Sequence, residues 1–561
     1  MPHLLQHTRE CSQNFRGSVR YSGFLNSNWG SDWNYDVNFV GMQTSLNQTI
    51  TGVPTISGLK AAIANGTYDF VNPEDTPQSV LNSIAPKNSI TARSREYSGE
   101  ATLSKGLFKL PGGMARLAIG GNIRNEYIND PNANPYDLNN PDAQYTGSIN
   151  PVSAYGHRWV ESGFFEVNAP IVKMLNANVS GRYDHYSEGF SHFSPKVGVQ
   201  FKPLDQLTLR GTFSKGFRVP SFAETGGTTI GYTPFSVTNT AWLAEHQNAN
   251  GTPNSYAQTY YLGLQNTGNP NLRPETSTNF SAGPVFTPTK WLTISATYYY
   301  IRKNNYITPN TNGYGTWANN WVNAYMTGGA AAAAASLPAN VGIIANPVDT
   351  QNPSGAPQPG IIEAGYINAN KMYTDGFDLA LDANTSLPGI LHNIHLYSKG
   401  QATYVRRFNL VNSDGSVYHY AGTLGPYQAV SSSGTPRWRA NWSNTFTWKK
   451  ISVTPTVYYT SGYKNVAEDY TGSNSRFSCS NAISNSNFVP FSCHTKAFWD
   501  VDLTLNYAFN KRWSAYANVY NLLGFRAPYD FGTYSGYNYN SSWAQQGVVL
   551  RSFQFGVVGG F

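Results

Sequence analysis

Apolar and polar residues alternate with a period of two along many stretches of the chain. Such alternation predicts β-strands, because successive side chains of a strand point to opposite faces of its sheet. The clearest example is the segment 437–448, RWRANWSNTFTW. Its apolar positions are Trp438, Ala440, Trp442, Phe446 and Trp448, and its polar positions are Arg437, Arg439, Asn441, Ser443 and Thr445. The segments 204–217, 451–459 and 498–509 repeat this pattern.

Three features favour a membrane barrel over a soluble β-sandwich, which shows the same alternation with its apolar faces inward. The predicted strands are about ten residues long or longer, whereas sandwich strands usually have five or six. Aromatic residues stand at both ends of strands, as Trp438 and Trp448 or Trp499 and Tyr507 do, which is typical of girdles at two membrane interfaces. Short and long connections alternate, with a brief exception at 187–193. The sequence therefore predicts an all-β, transmembrane antiparallel β-barrel.

The connections also give a strand count of about seventeen. Single-chain bacterial barrels have an even number of strands. An odd count therefore indicates either an error in the count or a missing piece of the barrel, and we favour the missing piece. The long connections, which are expected on the outer side, are 42–93, 129–155, 218–277, 303–370, 410–436, 462–497 and 525–545.

Composition supports a chain built of strands and turns. Charged residues make up 12% of the 561 residues and aromatic residues 14%, a balance that favours strands over amphipathic helices. No stretch holds the eighteen or so consecutive apolar residues that a membrane helix needs, which excludes a helical membrane protein. The net charge is +7, but the basic residues are spread along the chain and form no basic run. Nucleic acid is therefore a poor candidate partner, whereas a modest positive charge would suit a surface that faces anionic lipid.

Two of the three cysteines are close together in a polar segment. Cys479 and Cys493 are separated by Ser- and Asn-rich sequence, while Cys11 stands alone. We predict a disulfide between Cys479 and Cys493 that closes one loop. Two unrelated thiols are the alternative, and a zinc site is less favoured because only His494 lies near.

Four segments resemble barrel motifs of TonB-dependent outer-membrane receptors, and the terminal Phe561 fits the same family. The segments are SKGFRVPSFAE (214–224), GNPNLRPETSTNFSAGPVF (268–286), NVYNLLGFRAPYD (518–530) and LFKLPGGMARLAIGGNIRNEYI (107–128). The resemblance covers the chain from about Arg16 onward. It assigns 16–561 to a receptor β-barrel domain and leaves 1–15 unassigned.

The resemblance implies a 22-stranded barrel whose lumen holds an N-terminal plug, preceded by a TonB box that contacts the energy-transducing protein TonB. Ahead of Arg16 there is no room for these parts or for a signal sequence, and about five leading strands are expected to be missing. The implied partners are outer-membrane lipid and lipopolysaccharide, TonB through the missing plug, and the barrel-assembly machinery. Phe553, Phe555 and Phe561 of the last strand are the expected assembly signal.

The function implied is TonB-driven uptake of a scarce nutrient across the bacterial outer membrane. The candidate ligands are a ferric siderophore, haem, cobalamin or an oligosaccharide. A plugless diffusion channel, a non-functional receptor fragment and a soluble sugar-binding or adhesion protein are the alternatives. No GxSxG, HExxH, P-loop or dinucleotide motif occurs, so we predict no catalytic activity, no cofactor and no metal.

Candidate ligand-binding residues come from the loops and from the polar strand faces. Aromatic side chains in loops that face water either stack on a ligand or pack on one another; these are Tyr232, Phe235, Trp242, Trp317 and Trp321. Arg218 would contact a ligand or gate a loop, although ion pairing at the rim is the favoured interpretation. Lumen-lining candidates are Arg210, Arg437, Arg439, Asp500 and Asp502, and hydrogen-bonded ladders across the lumen are the alternative role for most of them.

Overall fold

A computed structural model describes most of the chain. The described residues are 6–25, 33–135, 141–146, 152–310, 313–369, 371–412, 415–425, 434–465, 494–530 and 539–560.

Strands dominate the structure. In chain order they are β1 (His7–Leu25), β2 (Trp33–Thr51), β3 (Asn88–Leu110), β4 (Gly113–Asp130), β5 (Ala154–Val172), β6 (Leu175–Tyr186), β7 (Ser191–Leu204), β8 (Leu207–Arg218), β9 (Thr228–Phe235), β10 (Tyr260–Thr267), β11 (Glu275–Thr289), β12 (Leu292–Asn304), β13 (Ile307–Thr308), β14 (Val341–Ala345), β15 (Pro359–Gly365), β16 (Ile367–Asn368), β17 (Lys371–Ser386), β18 (Ile394–Val411), β19 (Val417–His419), β20 (Trp438–Trp448), β21 (Ile451–Thr460), β22 (Tyr463–Lys464), β23 (His494–Thr495), β24 (Phe498–Ala508), β25 (Trp513–Tyr520) and β26 (Ser552–Gly559). β1 begins inside the segment 1–15 that the sequence left unassigned.

The helices of the described residues lie in the connections, and all but one of them have fewer than ten residues. They are α1 (Ile56–Ala64), α2 (Gln78–Ile84), α3 (Phe222–Gly226), α4 (Thr240–Glu245), α5 (Tyr314–Ala335) and a last turn of helix, Gln546–Val549, with 3₁₀ turns at Pro73–Asp75, Pro141–Ala143, Ser255–Ala257 and Gly389–Leu391. Within the part of the chain that the structure describes, no helix is long and apolar enough to cross a membrane.

One sheet of eighteen strands contains nearly all the long strands. Its smallest member, β19, has three residues and pairs with the end of β18. The other seventeen follow one another as antiparallel neighbours in chain order, from β1 to β8 and then through β11, β12, β17, β18, β20, β21, β24, β25 and β26. The predicted count of about seventeen strands is confirmed. We call this seventeen-stranded sheet the wall.

The wall exposes its apolar face. Trp438, Trp442 and Trp448 lie along one face of β20 and all three are exposed, as expected for side chains that contact lipid rather than a protein core. Trp438 and Trp448 are ten residue steps apart, which in a strand tilted by about 45° corresponds to roughly 24 Å. That height agrees with an apolar band of about 25 Å between two aromatic girdles.

Connections differ in length at the two ends of the wall, as predicted. Short turns join β20 to β21 and β24 to β25, while long connections separate β8 from β11 and β12 from β17. The brief exception is confirmed as well, because β6 ends at Tyr186 and β7 begins at Ser191. The end with long connections corresponds to the outer side of the membrane in barrels of this type.

Two long connections, after β8 and after β12, fold together into a small unit with its own core. Its sheet has the strand order β14-β15-β10-β9, and the pair β10–β15 is parallel. The helices α4 and α5 contribute to its hydrophobic core, and α5 is kinked at Gly329, whose φ of 69° favours glycine. We call this unit, residues 228–267 and 314–365, the loop module.

Candidate functional site

Four neighbouring strands of the wall surround a cavity on their polar faces. β18, β20, β21 and β24 carry it near the ends that lead into the long connections. Its volume is about 670 Å³. The lining includes Gln401, Thr403, Arg439, Asn441, Tyr458, Thr460, Asp500, Asp502 and Trp543. Strand alternation explains the set, because residues two apart on each strand share the inner face.

Two carboxylates of β24 line this cavity. Oδ1 of Asp502 accepts a hydrogen bond from the backbone N–H of Asn521 at 2.9 Å. Asp500 is only 7% exposed, and among the described residues its Oδ1 has no hydrogen-bond partner. A buried carboxylate oxygen without a donor is costly. Asp500 is therefore ready to accept a hydrogen bond from a group that enters the cavity.

A cation and aromatic rings complete the lining. The guanidinium of Arg439 lies 5.7 Å from the ring centroid of Trp543, which the connection between β25 and β26 supplies. Tyr458 stands between Asn441 and Asp500 in the register of the three strands. The cavity thus combines hydrogen-bond acceptors, donors and flat rings, a combination suited to an organic ligand with polar groups.

The five lumen-lining candidates separate into two groups. Arg439, Asp500 and Asp502 lie together in the cavity. Arg210 lies elsewhere on the wall and donates a hydrogen bond to Oγ1 of Thr297 at 3.0 Å, as expected for a ladder across strands. Arg437 donates to the backbone carbonyl of Arg406 at 2.8 Å.

Arg218 is held by ion pairs at the rim. Its guanidinium lies 2.8 Å from carboxylate oxygens of both Glu224 and Glu275, and Lys303 reaches Glu275 at 3.5 Å. Glu224 also accepts a hydrogen bond from the backbone N–H of Ser221 and so caps α3. This arrangement agrees with the favoured interpretation, in which Arg218 forms ion pairs at the rim of the barrel.

The loop aromatics lie mainly inside the loop module. Phe235, Trp242 and Trp321 belong to its buried core, and Trp317 packs against that core. The burial of Phe235, Trp242 and Trp321 favours the alternative that loop aromatics pack on one another, which removes apolar area from water. The ligand-binding role of these three residues stays a prediction. Tyr232 remains exposed, and its ligand-binding role stays a prediction.

A buried polar cluster ties the loop module together. The two ring nitrogens of His246 lie 2.8 Å from Oδ2 of Asp349 and 3.0 Å from the carbonyl oxygen of Ala356. Both neighbours are hydrogen-bond acceptors, so the imidazole ring is held in place from two sides. Burial acts to raise the pKa of Asp349, but hydrogen bonds from His246 and Asn254 outweigh it, and the pKa of Asp349 is lowered.

The last strand exposes its aromatic residues. Phe553 and Phe555 of β26 are exposed on the wall, which is compatible with their predicted role in assembly. Phe561, Cys479 and Cys493 lie outside the described residues, so the terminal signal and the disulfide stay predictions. Cys11 is a free, exposed thiol on β1.

Sequence reasoning missed part of the cavity lining. Tyr458 alternates with Val457 and Tyr459 and shares the polar face of β21 with Thr456, so the period of two could have identified it. Trp543 comes from a long connection, and no local pattern in the sequence places it over Arg439. Among the described residues, no group of three or more His, Cys, Asp or Glu side chains could hold a metal ion.

Known proteins share this architecture. The fold matches the siderophore receptor PirA from Acinetobacter baumannii with a TM-score of 0.57 and 14% identity, and the match covers 98% of this chain. It matches a mutant of the ferric enterobactin receptor PfeA from Pseudomonas aeruginosa with a TM-score of 0.54 and 14% identity, again across 98% of this chain. It also matches the ferric-catecholate import receptor Fiu from E. coli K12 over 98% of the chain (TM-score 0.52, 12% identity). The chain covers 63%, 67% and 64% of these receptors, respectively. At such identities the likeness shows the fold.

Sequence relatives agree with this fold. The iron-regulated outer membrane virulence protein of Vibrio cholerae is 27% identical over 212 residues, which are 37% of this chain and 25% of that protein. The family described as TonB dependent receptor-like, beta-barrel matches residues 6–522. Its members are receptors and transporters of the bacterial outer membrane, which confirms the predicted location and the prediction that the protein is not an enzyme. The chain therefore belongs to the TonB-dependent receptors, as the β-barrel part of that family.

Proposed function

We propose that this protein is the barrel of a receptor that binds a ferric siderophore from its outer side and takes part in its uptake. The observation that supports this most strongly is the match of nearly the whole wall to receptors whose names specify siderophores. The relative from Vibrio cholerae, named as iron-regulated, points the same way. Haem, cobalamin and oligosaccharides have no comparable support from these relatives.

The cavity narrows the chemistry of the proposed ligand. Asp500 and Asp502 would repel a ligand surface that carries only negative charge. They would hold a surface that offers N–H or O–H donors, because the unpaired oxygen of Asp500 would gain a hydrogen bond. We therefore expect a ferric siderophore whose outer surface exposes amine, amide or hydroxyl groups, with Trp543 as a stacking surface.

The proposed partners follow from the family. Energy from TonB would reach the whole receptor through its plug and TonB box, so the wall itself need not contact TonB. The barrel-assembly machinery would recognise β26, where Phe553 and Phe555 are exposed. Lipid and lipopolysaccharide would surround the apolar face.

Uptake of radioactive iron tests the proposed function. A strain with this gene should accumulate ferric siderophore, and a strain without it, or without TonB, should not. Solute leakage from liposomes that contain the purified protein, together with uptake that is independent of TonB, would favour the alternative of a diffusion channel. Haem, cobalamin and an oligosaccharide serve as competing ligands in the same assay.

The Asp500→Asn variant tests the cavity. The variant keeps an oxygen acceptor but removes its negative charge, and the weaker hydrogen bond should lower the affinity for an amine- or hydroxyl-bearing ferric siderophore about tenfold. The matched control is Asp382→Asn, since Asp382 lies on β17 away from the cavity and accepts a hydrogen bond from Tyr397. Equal affinities of the two variants in a fluorescence titration would contradict the assignment of the cavity, while leaving the uptake result unaffected.

A further inference from the structure

We propose that the outer face of β12, β17 and β18 binds the phosphate group of an anionic lipid in the outer leaflet. The surface consists of Arg406 and Arg407, which pair with the carboxylate of Asp375, and of Arg302 and Lys371, which lie two and four residues farther along the same face in the strand register. We call these five residues the basic rim.

Strand alternation places the basic rim on the lipid-facing side of the wall. Phe377 of β17 is exposed on the apolar face. Asp375 and Lys371 lie two and six residues earlier in the same strand and therefore share that face. Tyr298 of β12 packs against Phe377 with ring centroids 5.4 Å apart. Arg302 lies four residues beyond Tyr298 and therefore shares its face.

A β-bulge brings two guanidinium groups to the same carboxylate. The register passes from Asp375 opposite Arg407 to Gly376 opposite Val405, which leaves Arg406 as the extra residue of β18. Bulges re-aim side chains in this way. Nε of Arg406 lies 2.8 Å from Oδ2 of Asp375, and Nε of Arg407 lies 2.9 Å from Oδ1.

The shared carboxylate leaves both cations available to a second anion. Asp375 is fully buried, whereas the side chains of Arg406 and Arg407 are 45% and 44% exposed. Each guanidinium has five N–H donors, and Asp375 receives two from each. The remaining donors can form the bidentate hydrogen bonds that guanidinium groups make with phosphate.

The charge of the surrounding face is unbalanced. Every residue of β12, β17 and β18 is described, and on their outer faces Asp375 is the one carboxylate beside four cations. The other acids of β17, Asp378 and Asp382, alternate with Phe377 and face inward. The basic rim therefore carries an excess of positive charge that is complementary to an anion.

The height of Arg406 and Arg407 in the basic rim selects a lipid head group as that anion. Tyr404 and Trp438 pack against each other, with centroids 4.7 Å apart, at the outer end of the apolar band. Arg406 and Arg407 follow Tyr404 by two and three residues, which places them about 5–7 Å farther out. Head groups occupy a layer of about this thickness next to the hydrocarbon. A sideways-facing cation cluster in that layer meets lipid phosphate.

Lipid retention tests the proposal. The purified protein is placed in nanodiscs of phosphatidylcholine with and without phosphorylated lipid A, and bound lipid is counted by native mass spectrometry. We expect selective retention of lipid A that weakens at high salt, and a loss of at least tenfold in R406Q/R407Q, since each cation contributes about fivefold. The charge-matched control R210Q/K399Q, on the inner face, should retain lipid A normally.

R406Q/R407Q leaves Asp375 buried without its two cations, and this double variant could fail to fold. A second double variant keeps the test valid in that case. R302Q/K371Q leaves the contacts of Asp375 intact and should lower lipid A retention by a smaller factor than R406Q/R407Q. Unchanged retention in both variant pairs would overturn the proposal. Displacement of lipid A by inorganic phosphate at equal concentration would also overturn it, because the surface would then recognise the free ion.

Discussion

The wall and the loop module use the same residue types in opposite ways. Trp442 in the middle of β20 is 53% exposed, whereas Trp242 in α4 is fully buried. Both indole N–H groups are satisfied, by Oγ of Ser398 at 2.9 Å and by the carbonyl oxygen of Ala356 at 2.8 Å. The solvent explains the difference, because lipid accepts an apolar ring at the surface and water does not.

The comparison also shows where rigidity arises. The wall is held by continuous ladders between neighbouring strands, so no single side chain is needed to keep it together. The loop module has one small core and one buried polar cluster. Single substitutions should therefore affect the loop module more than the wall.

The largest expected effect is that of Trp242→Ala. Removal of a fully buried ring should cost about 3–5 kcal/mol and open the loop module, and hydrogen exchange should accelerate in β10 and α5 but not in β20. The matched control is Trp442→Ala on the wall, where lipid can fill the space. A similar acceleration in both variants would contradict the view that the loop module has a separate core.

A charge on the lipid-facing side should have the next largest effect. Trp442→Arg near the middle of the apolar band should destabilise the wall by about 2–4 kcal/mol. Asn441→Arg, one residue earlier on the inner face, is the control and should be tolerated far better. Unfolding in denaturant from lipid vesicles measures the difference, and equal losses would contradict the assignment of the two faces.

The smallest effect is expected from pH and from Asp349→Asn. Because the folded-state pKa of Asp349 is lowered, its stabilisation of the loop module is present above the ordinary carboxyl pKa of about 3.9 and is lost as pH falls through the lowered value. At neutral pH the variant should exchange hydrogen faster in the segment around His246. This difference between the parent and the variant should vanish in acid. A difference that stays constant with pH would show that the hydrogen bonds to Asp349 contribute nothing through its charge.

Much of the wall could be predicted because its rule is local. The period of two identified the strands, the exposed face and three residues of the cavity, Arg439, Asp500 and Asp502. The same rule could not assign Trp242 or Trp321, since neither lies in a repeating pattern. Whether a loop aromatic meets ligand or protein depends on which other loop packs against it.

The sequence by itself determined the number of strands, their two faces and the family, because alternation and motifs are properties of neighbouring residues. Only the tertiary structure decided that two distant connections share one core, that Trp543 covers Arg439, and that a bulge gathers Arg406 and Arg407 on Asp375. These contacts join residues far apart in the chain or depend on one unpaired position in a strand. Their free energy arises only when the separate segments are brought together, and no local pattern encodes that step.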